Sequence, residues 1–232
     1  MTLTEELLAF IKKSPVNYLA AANAARMLEE NGFKALREDR RWELIPGGSY
    51  YVIRNDSALL AFTIPEEFSR IRICASHADS PCFKLKENPG MERANAYVVL
   101  NVEKYGGALI DPWFDRPLSV AGRVFVRDED RLVRRLVDLN RDILLIPSLA
   151  IHMNRNANAG VKHDLQQELL PLFALSGDRV SLDGLIADAA GCDVEDVAGS
   201  DLYVYNRQAG SQRGPLQGNM QQGRLPGPGF YK

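Results

Sequence analysis

Between Ile71 and Lys86 the chain reads I-R-I-C-A-S-H-A-D-S-P-C-F-K-L-K, and this stretch constrains the rest. Ile71, Ile73 and Ala75 alternate with other residues at the period of a half-buried strand. Ser80 and Pro81 stop the run. Cys82, Lys84 and Lys86 then alternate with Phe83 and Leu85, which predicts a second strand. In extended chain, residues two apart point to the same side. His77 and Asp79 are therefore expected to converge at the end of an interior strand, where open sheets place their sites. A neutral imidazole is a common zinc ligand, and a carboxylate beside it can bind the ion or orient the ring. A strand-end histidine hydrogen-bonded to a turn aspartate would give the same pattern, and for a bare H-x-D it is the commoner arrangement.

With 232 residues, one or two domains are expected. A net charge of −2 argues against a nucleic-acid binder. No apolar run approaches the ~20 residues of a membrane span. Glu5 and Glu6 precede the first lysine, unlike a signal peptide. Cys74, Cys82 and Cys192 are odd in number and widely spaced, which speaks against a disulfide framework and for a reducing cytoplasm. Cys74 and Cys82 flank His77, so a thiolate metal site using His77, Asp79 and Cys82 is conceivable. Cys74, in an apolar strand, reads more simply as a small core residue.

Thr2 to Glu5 has the form of a capping box, followed by Leu3, Leu7 and Ile11 at helical spacing up to Pro15. An alanine-rich helix is predicted over 18–31, with Gly32 as its stop and a sheet against its small face. Strand texture follows at Trp42 to Ile45, and Asn55 to Ala58 forms a hairpin turn between Tyr50–Arg54 and Leu59–Ile64. Asn88-Pro89-Gly90 reads as a boundary. Beyond it, strands are predicted at 97–102, 120–126, 132–137, 143–146 and 201–206. Helices are predicted at 165–174 and 182–190, the latter capped by Ser181 and stopped by Gly191. The Gly/Pro-rich tail over 208–232 is expected to be poorly ordered unless something holds it.

The longer string S-H-A-D-S-P-C-F-K-L-K closely resembles the H-x-D-S-P segment of the aspartyl aminopeptidase family of zinc metallopeptidases. E-K-Y-G-G-A-L at 103–109, W-F-D-R-P-L-S-V-A-G-R-V at 113–124, I-P-S-L-A-I-H-M-N-R at 146–155 and E-L-L-P-L at 168–172 resemble further motifs of that family, in the same order and spacing. The resemblance covers roughly residues 1 to 207.

The resemblance implies an α/β fold: an incomplete zinc-peptidase catalytic domain over 1–88, then a β-rich dimerisation domain with helices over 89–207. It implies an aminopeptidase acting on peptide substrates, acidic N-terminal residues in the namesake members. It also implies a homo-oligomer, dimers building to a dodecamer; from the charge and the apolar runs, no nucleic-acid or membrane partner is expected. The family's complete site holds two zinc ions, which can activate a bridging water and polarise the scissile carbonyl. By the same resemblance His77 is a zinc ligand, Asp79 the catalytic-site carboxylate that orients it, and His152 a substrate-binding residue reaching a neighbouring subunit's site. The family's remaining ligands and general base match no residues here, so this chain alone is expected to be inactive or nearly so. A non-catalytic assembly fragment is the alternative.

Read from the residues alone, His152 could equally be a surface histidine without chemistry. His163, between Lys162 and Asp164, reads as a solvated loop residue. Asp115 and Arg116 could pair to order a turn, and Trp113 and Phe114 are apolar anchors of the kind enriched at interfaces.

Overall fold

The computed structural model describes residues 2–160, 162–212 and 223–224. The chain divides into two compact units, residues 1–79 and 80–232.

In the first unit, helix α1 (Leu3–Lys13) begins with the predicted capping box: Thr2 accepts from the Glu5 amide while Glu5 accepts from the Thr2 amide. Helix α2 (Asn17–Glu30) follows. Its Asn23 is buried and donates to the Lys13 carbonyl at 2.6 Å and to the Ser14 hydroxyl at 3.1 Å, satisfying the end of α1. Strands β1 (Lys34–Ala35), β2 (Ser49–Arg54) and β3 (Ala58–Thr63) form a sheet in that order, β1 parallel and β3 antiparallel to β2. Ala21 and Ala25 of α2 are buried, as are Tyr50, Tyr51 and Val52 of β2. The small helical side chains let α2 lie against this sheet, as predicted. The hairpin closes through Asn55 and Asp56, both at positive φ, the turn whose twist suits flanking strands. Burial together with the Glu29 carboxylate pushes the Tyr51 phenol up to about 12. Trp42 to Ile45 forms no strand.

The second unit is built on β4 (Cys82–Arg93), β5 (Tyr97–Tyr105), β6 (Leu118–Asp128), β7 (Arg131–Asp138), β8 (Leu172–Leu175) and β9 (Val197–Asn206). They make one antiparallel six-stranded sheet ordered β7-β6-β9-β4-β5-β8. Phe83, Leu100, Trp113, Val120, Ile146 and Val204 lie in its core. Helix α3 (Leu182–Ala190) turns Leu182, Ile186 and Ala190 inward at four-residue spacing. Ser181 caps it, and Gly191 ends it in the left-handed conformation, as predicted. Short strands β10 (Ser211–Gln212) and β11 (Gly223–Arg224) pair with each other; most of the predicted loose tail lies outside the described residues.

Four expectations for this unit need correction. Asn88-Pro89-Gly90 marks no boundary: it lies inside β4, where the pairing with β5 slips between Leu85 and Gly90. Asn88 takes a positive φ and Pro89 has no N–H to offer the ladder, so a bulge absorbs all three residues. Residues 165–174 are not a helix. Pro171 breaks the leucine-rich run, and Leu172–Leu175 pairs with β5 instead. The predicted strand at 143–146 is reduced to isolated bridges, Leu144 to Leu118 and Leu145 to Leu172. Trp113 is no interface anchor: it is 1% exposed and packs edge-on to Phe83 in the core.

Candidate functional site

The chain from 64 to 81 contains no strand, so the strand expected at Ile71 to Ala75 is absent. Ile73 is 88% exposed and Ile71 70%. Alternation makes a strand only when a neighbour accepts its hydrogen bonds and covers its apolar side, and no strand among the described residues pairs with this segment. Cys74, expected in the core, is exposed with it.

His77 and Asp79 nevertheless meet as predicted. The imidazole Nδ1 and the carboxylate Oδ1 are 2.9 Å apart. The His77 side chain is 91% exposed and that of Asp79 34%. A carboxylate on Nδ1 fixes the ring proton there and leaves the Nε2 lone pair outward. Carboxylates hold metal-binding histidines in this way, fixing the tautomer and the ring's orientation. The arrangement can offer one nitrogen to a cation.

One nitrogen is not a zinc site. Catalytic zinc takes three protein ligands and an open position. Among the described residues, no three His, Cys, Asp or Glu side chains converge to hold a metal. The set of His77, Asp79 and Cys82 is therefore not assembled, and Cys82 packs against the second unit's core. The residues present fit one position of a metal centre.

His152 lies on a turn between Ile151 and Met153, all exposed. The turn is closed by Met153 N–H donating to the Ala150 carbonyl at 2.8 Å.

The W-F-D-R-P stretch behaves differently from its sequence expectation. Asp115 does not order its turn by pairing with Arg116, whose guanidinium donates to Gln208. Asp115 sits at φ 56° and accepts from the Ser148 amide at 2.9 Å and from the Ser148 hydroxyl. Those bonds hold its carboxyl below the usual carboxylate range. His163 is not a solvated loop residue: its side chain is 17% exposed. Its Nε2 lies 2.8 Å from Asp111 and its Nδ1 2.8 Å from Glu168. The ring stacks on Phe114 with centroids 5.0 Å apart. The hydrogen bonds to Asp111 and then Glu168 raise its pKa above the ordinary histidine value. Glu168, five residues on, was a legible partner; Asp111, 52 residues back, was not.

Residues 10–221 match the family described as aminopeptidase I zinc metalloprotease (M18). The chain belongs to this M18 family. It is 41% identical over 219 residues to a probable M18 family aminopeptidase 2 of Clostridium acetobutylicum, an alignment covering 90% of this chain and 51% of that protein. Among solved structures it resembles a chain from the cryo-EM structure of the Ape4 and Nbr1 complex (TM-score 0.85, 32% identity, 91% of this chain and 45% of that one). It also resembles Chaetomium thermophilum mApe1 (TM-score 0.82, 27% identity, 91% of this chain and 52% of that one). The α/β fold expected from the sequence is that of these structures. The chain spans about half the length of the curated relatives it matches.

Proposed function

We propose that the protein serves a zinc aminopeptidase that removes N-terminal residues, acidic ones among them, from peptides. The observation that carries this reading is the His77–Asp79 pair, 2.9 Å apart with Nε2 directed outward, in a chain of the M18 family. In this reading His77 is a metal ligand and Asp79 orients it. Bound zinc would supply a water of lowered pKa and polarise the scissile carbonyl. His152 binds substrate in a neighbouring subunit's site, which its exposed turn supports. The first unit contributes to the catalytic domain and the second to dimerisation, with the division before β4 rather than at the 88/89 expected from the sequence, within a cytoplasmic homo-oligomer. No helix among the described residues is long and apolar enough to cross a membrane.

The chain by itself turns over little or nothing, because the described residues bring no three ligands together. Zinc analysis and assays on aspartyl and leucyl chromogenic amides test this. Weak zinc binding without turnover is expected. Two zinc ions per chain with hydrolysis would overturn the claim of inactivity, and a preference for the leucyl amide would remove the acidic specificity.

A second reading has its own support. The second unit has a continuous sheet and core, whereas His77 has no companion ligands among the described residues. The chain would then be a non-catalytic assembly fragment, pairing with itself or with a longer relative. Light scattering on the chain alone and mixed with such a relative tests it. A strict monomer at high concentration that also fails to associate would end this reading.

A further inference from the structure

The segment that carries His152 is fastened at both ends to one short stretch of chain, residues 111–115. At its entry, the Asp115 amide donates to the Ile146 carbonyl at 2.9 Å, and the Asp115 carboxylate accepts from Ser148. At its exit, His163 lies between Asp111 and Glu168 and stacks on Phe114. Between these two pins, Leu149, Ile151 and Met153 are exposed, so burial of these apolar side chains does not hold the segment in place. Among its described residues, the segment is ordered by turn hydrogen bonds, Met153 and Asn154 to Ala150, Ala157 to Asn154, and Ala159 to Asn156, together with the two pins. An exposed segment held by so few contacts opens easily unless its ends are fixed.

We propose that His163 is a positioning residue: by tying Asp111 to Glu168 over the Phe114 ring it fixes the base of the segment and so sets where His152 projects. The functional meaning of this role rests on the reading of His152 as substrate-binding; the fastening itself does not.

The chemistry makes the exit pin conditional. A neutral imidazole has one N–H and one lone pair, so it can satisfy one carboxylate while its lone pair faces the other. The imidazolium donates to both. Asp111 from one segment and Glu168 from the other are the charged groups facing the ring; neighbouring Asp164 is turned to the Gln166 amide at 2.9 Å. Phe114 adds no charge. Because the folded pKa is raised, the pin is complete below the ordinary histidine value and is lost as pH rises through the raised one. The Asp115–Ser148 pin has no such dependence in the neutral range.

Hydrogen exchange of the full chain, corrected for intrinsic rates and read from mildly acidic to mildly alkaline pH, tests the proposal. It is accompanied by an NMR titration of His163. In His163→Ala, exchange at the amides of Met153, Asn154 and Ala157 should rise about tenfold while β6 and β9 stay protected. The unsubstituted chain should show the same rise as pH passes through the His163 midpoint, and His163→Ala should lose that dependence. Asp111→Asn changes an exposed side chain, so it provides the test even if His163→Ala folds poorly; it should lower the midpoint and move the exchange transition with it. Unchanged exchange of the segment in a folded His163→Ala, or the same pH dependence persisting in it, would overturn the proposal. If exchange behaves as stated but His152→Ala does not weaken binding of an aspartyl peptide to the assembled protein, the fastening stands. The reading of His152 then falls, and with it the positioning role.

Discussion

At the scale of single residues, Gly122 has no room for a side chain. It lies opposite Leu202 where β6 meets β9. A Cβ there would stand 2.1 Å from the Asp201 carbonyl oxygen and 2.9 Å from the Leu202 Cα. Both are backbone atoms in a central strand and cannot yield as a side-chain tip can. Gly122→Ala should therefore cost about 1–3 kcal/mol or more, read as a lower urea midpoint at unchanged slope. The next pair along, Arg123 and Asp201, profits from the same close approach. Asp201 accepts from Arg123 at 2.8 Å and pairs with Lys84 at 3.1 Å. Burial opposes ionisation of this carboxyl, but the bonds from Arg123 and Lys84 outweigh it and hold the group below the usual aspartate value. A depressed carboxyl contributes stability above the unfolded value and loses it as pH falls through the folded one. Asp201→Asn should therefore be less stable than the parent near neutrality, with the difference shrinking in acid; equal differences at both pH values would refute this. None of these contacts is written in local sequence. The His77–Asp79 contact was legible because two-residue spacing carried the pair together. The role of His163 was not, because one partner lies far back in the chain.

At the scale of elements, local signals were reliable where local chemistry decides. The capping box at Thr2 and Glu5, the Asn55-Asp56 turn, and Ser181 with Gly191 around α3 each satisfy backbone groups within a few residues. Ser181→Ala should lower stability by about 1 kcal/mol through the lost bond to the Gly184 amide, measured by thermal or denaturant unfolding. Signals failed where an element depends on a distant partner. Ile71 to Ala75 has the strand period, but a period cannot supply the neighbour that pairs with it. Leu165 to Ala174 has leucines at helical spacing, yet Pro171 and the open edge of β5 draw its end into the sheet. Asn88-Pro89-Gly90 has the composition of a linker and is used as a bulge. In each case the residues state a local preference, and tertiary pairing selects among the structures that satisfy it.

At the scale of the whole molecule, the division at Asp79 and Ser80 separates two kinds of order. The second unit closes a six-stranded sheet over a continuous core. The first has a three-stranded sheet and leaves Phe68, Ile71 and Ile73, in the stretch of chain that leads to His77, exposed. The exposed His77 imidazole fits the proposal that it works together with ligands not assembled among the described residues. His77→Ala should then abolish whatever zinc the chain retains while leaving its thermal unfolding unchanged, since a side chain this exposed adds little packing. Retention of bound zinc in that variant would show that the metal sits elsewhere.

The two tryptophans of the chain fall one to each unit. Trp42 is 37% exposed and donates its indole N–H to the Arg37 carbonyl at 2.8 Å. Trp113 is sealed against Phe83, with an indole nitrogen that has no hydrogen-bond partner among the described residues. Their surroundings differ enough to give the pair separate colours, a water-facing emitter and a dry one. Nature has thus supplied an optical gauge for each half: replacing either indole by phenylalanine leaves a fluorescence signal that follows the other half alone, and denaturation traced in the two variants would reveal whether the halves melt together or in turn.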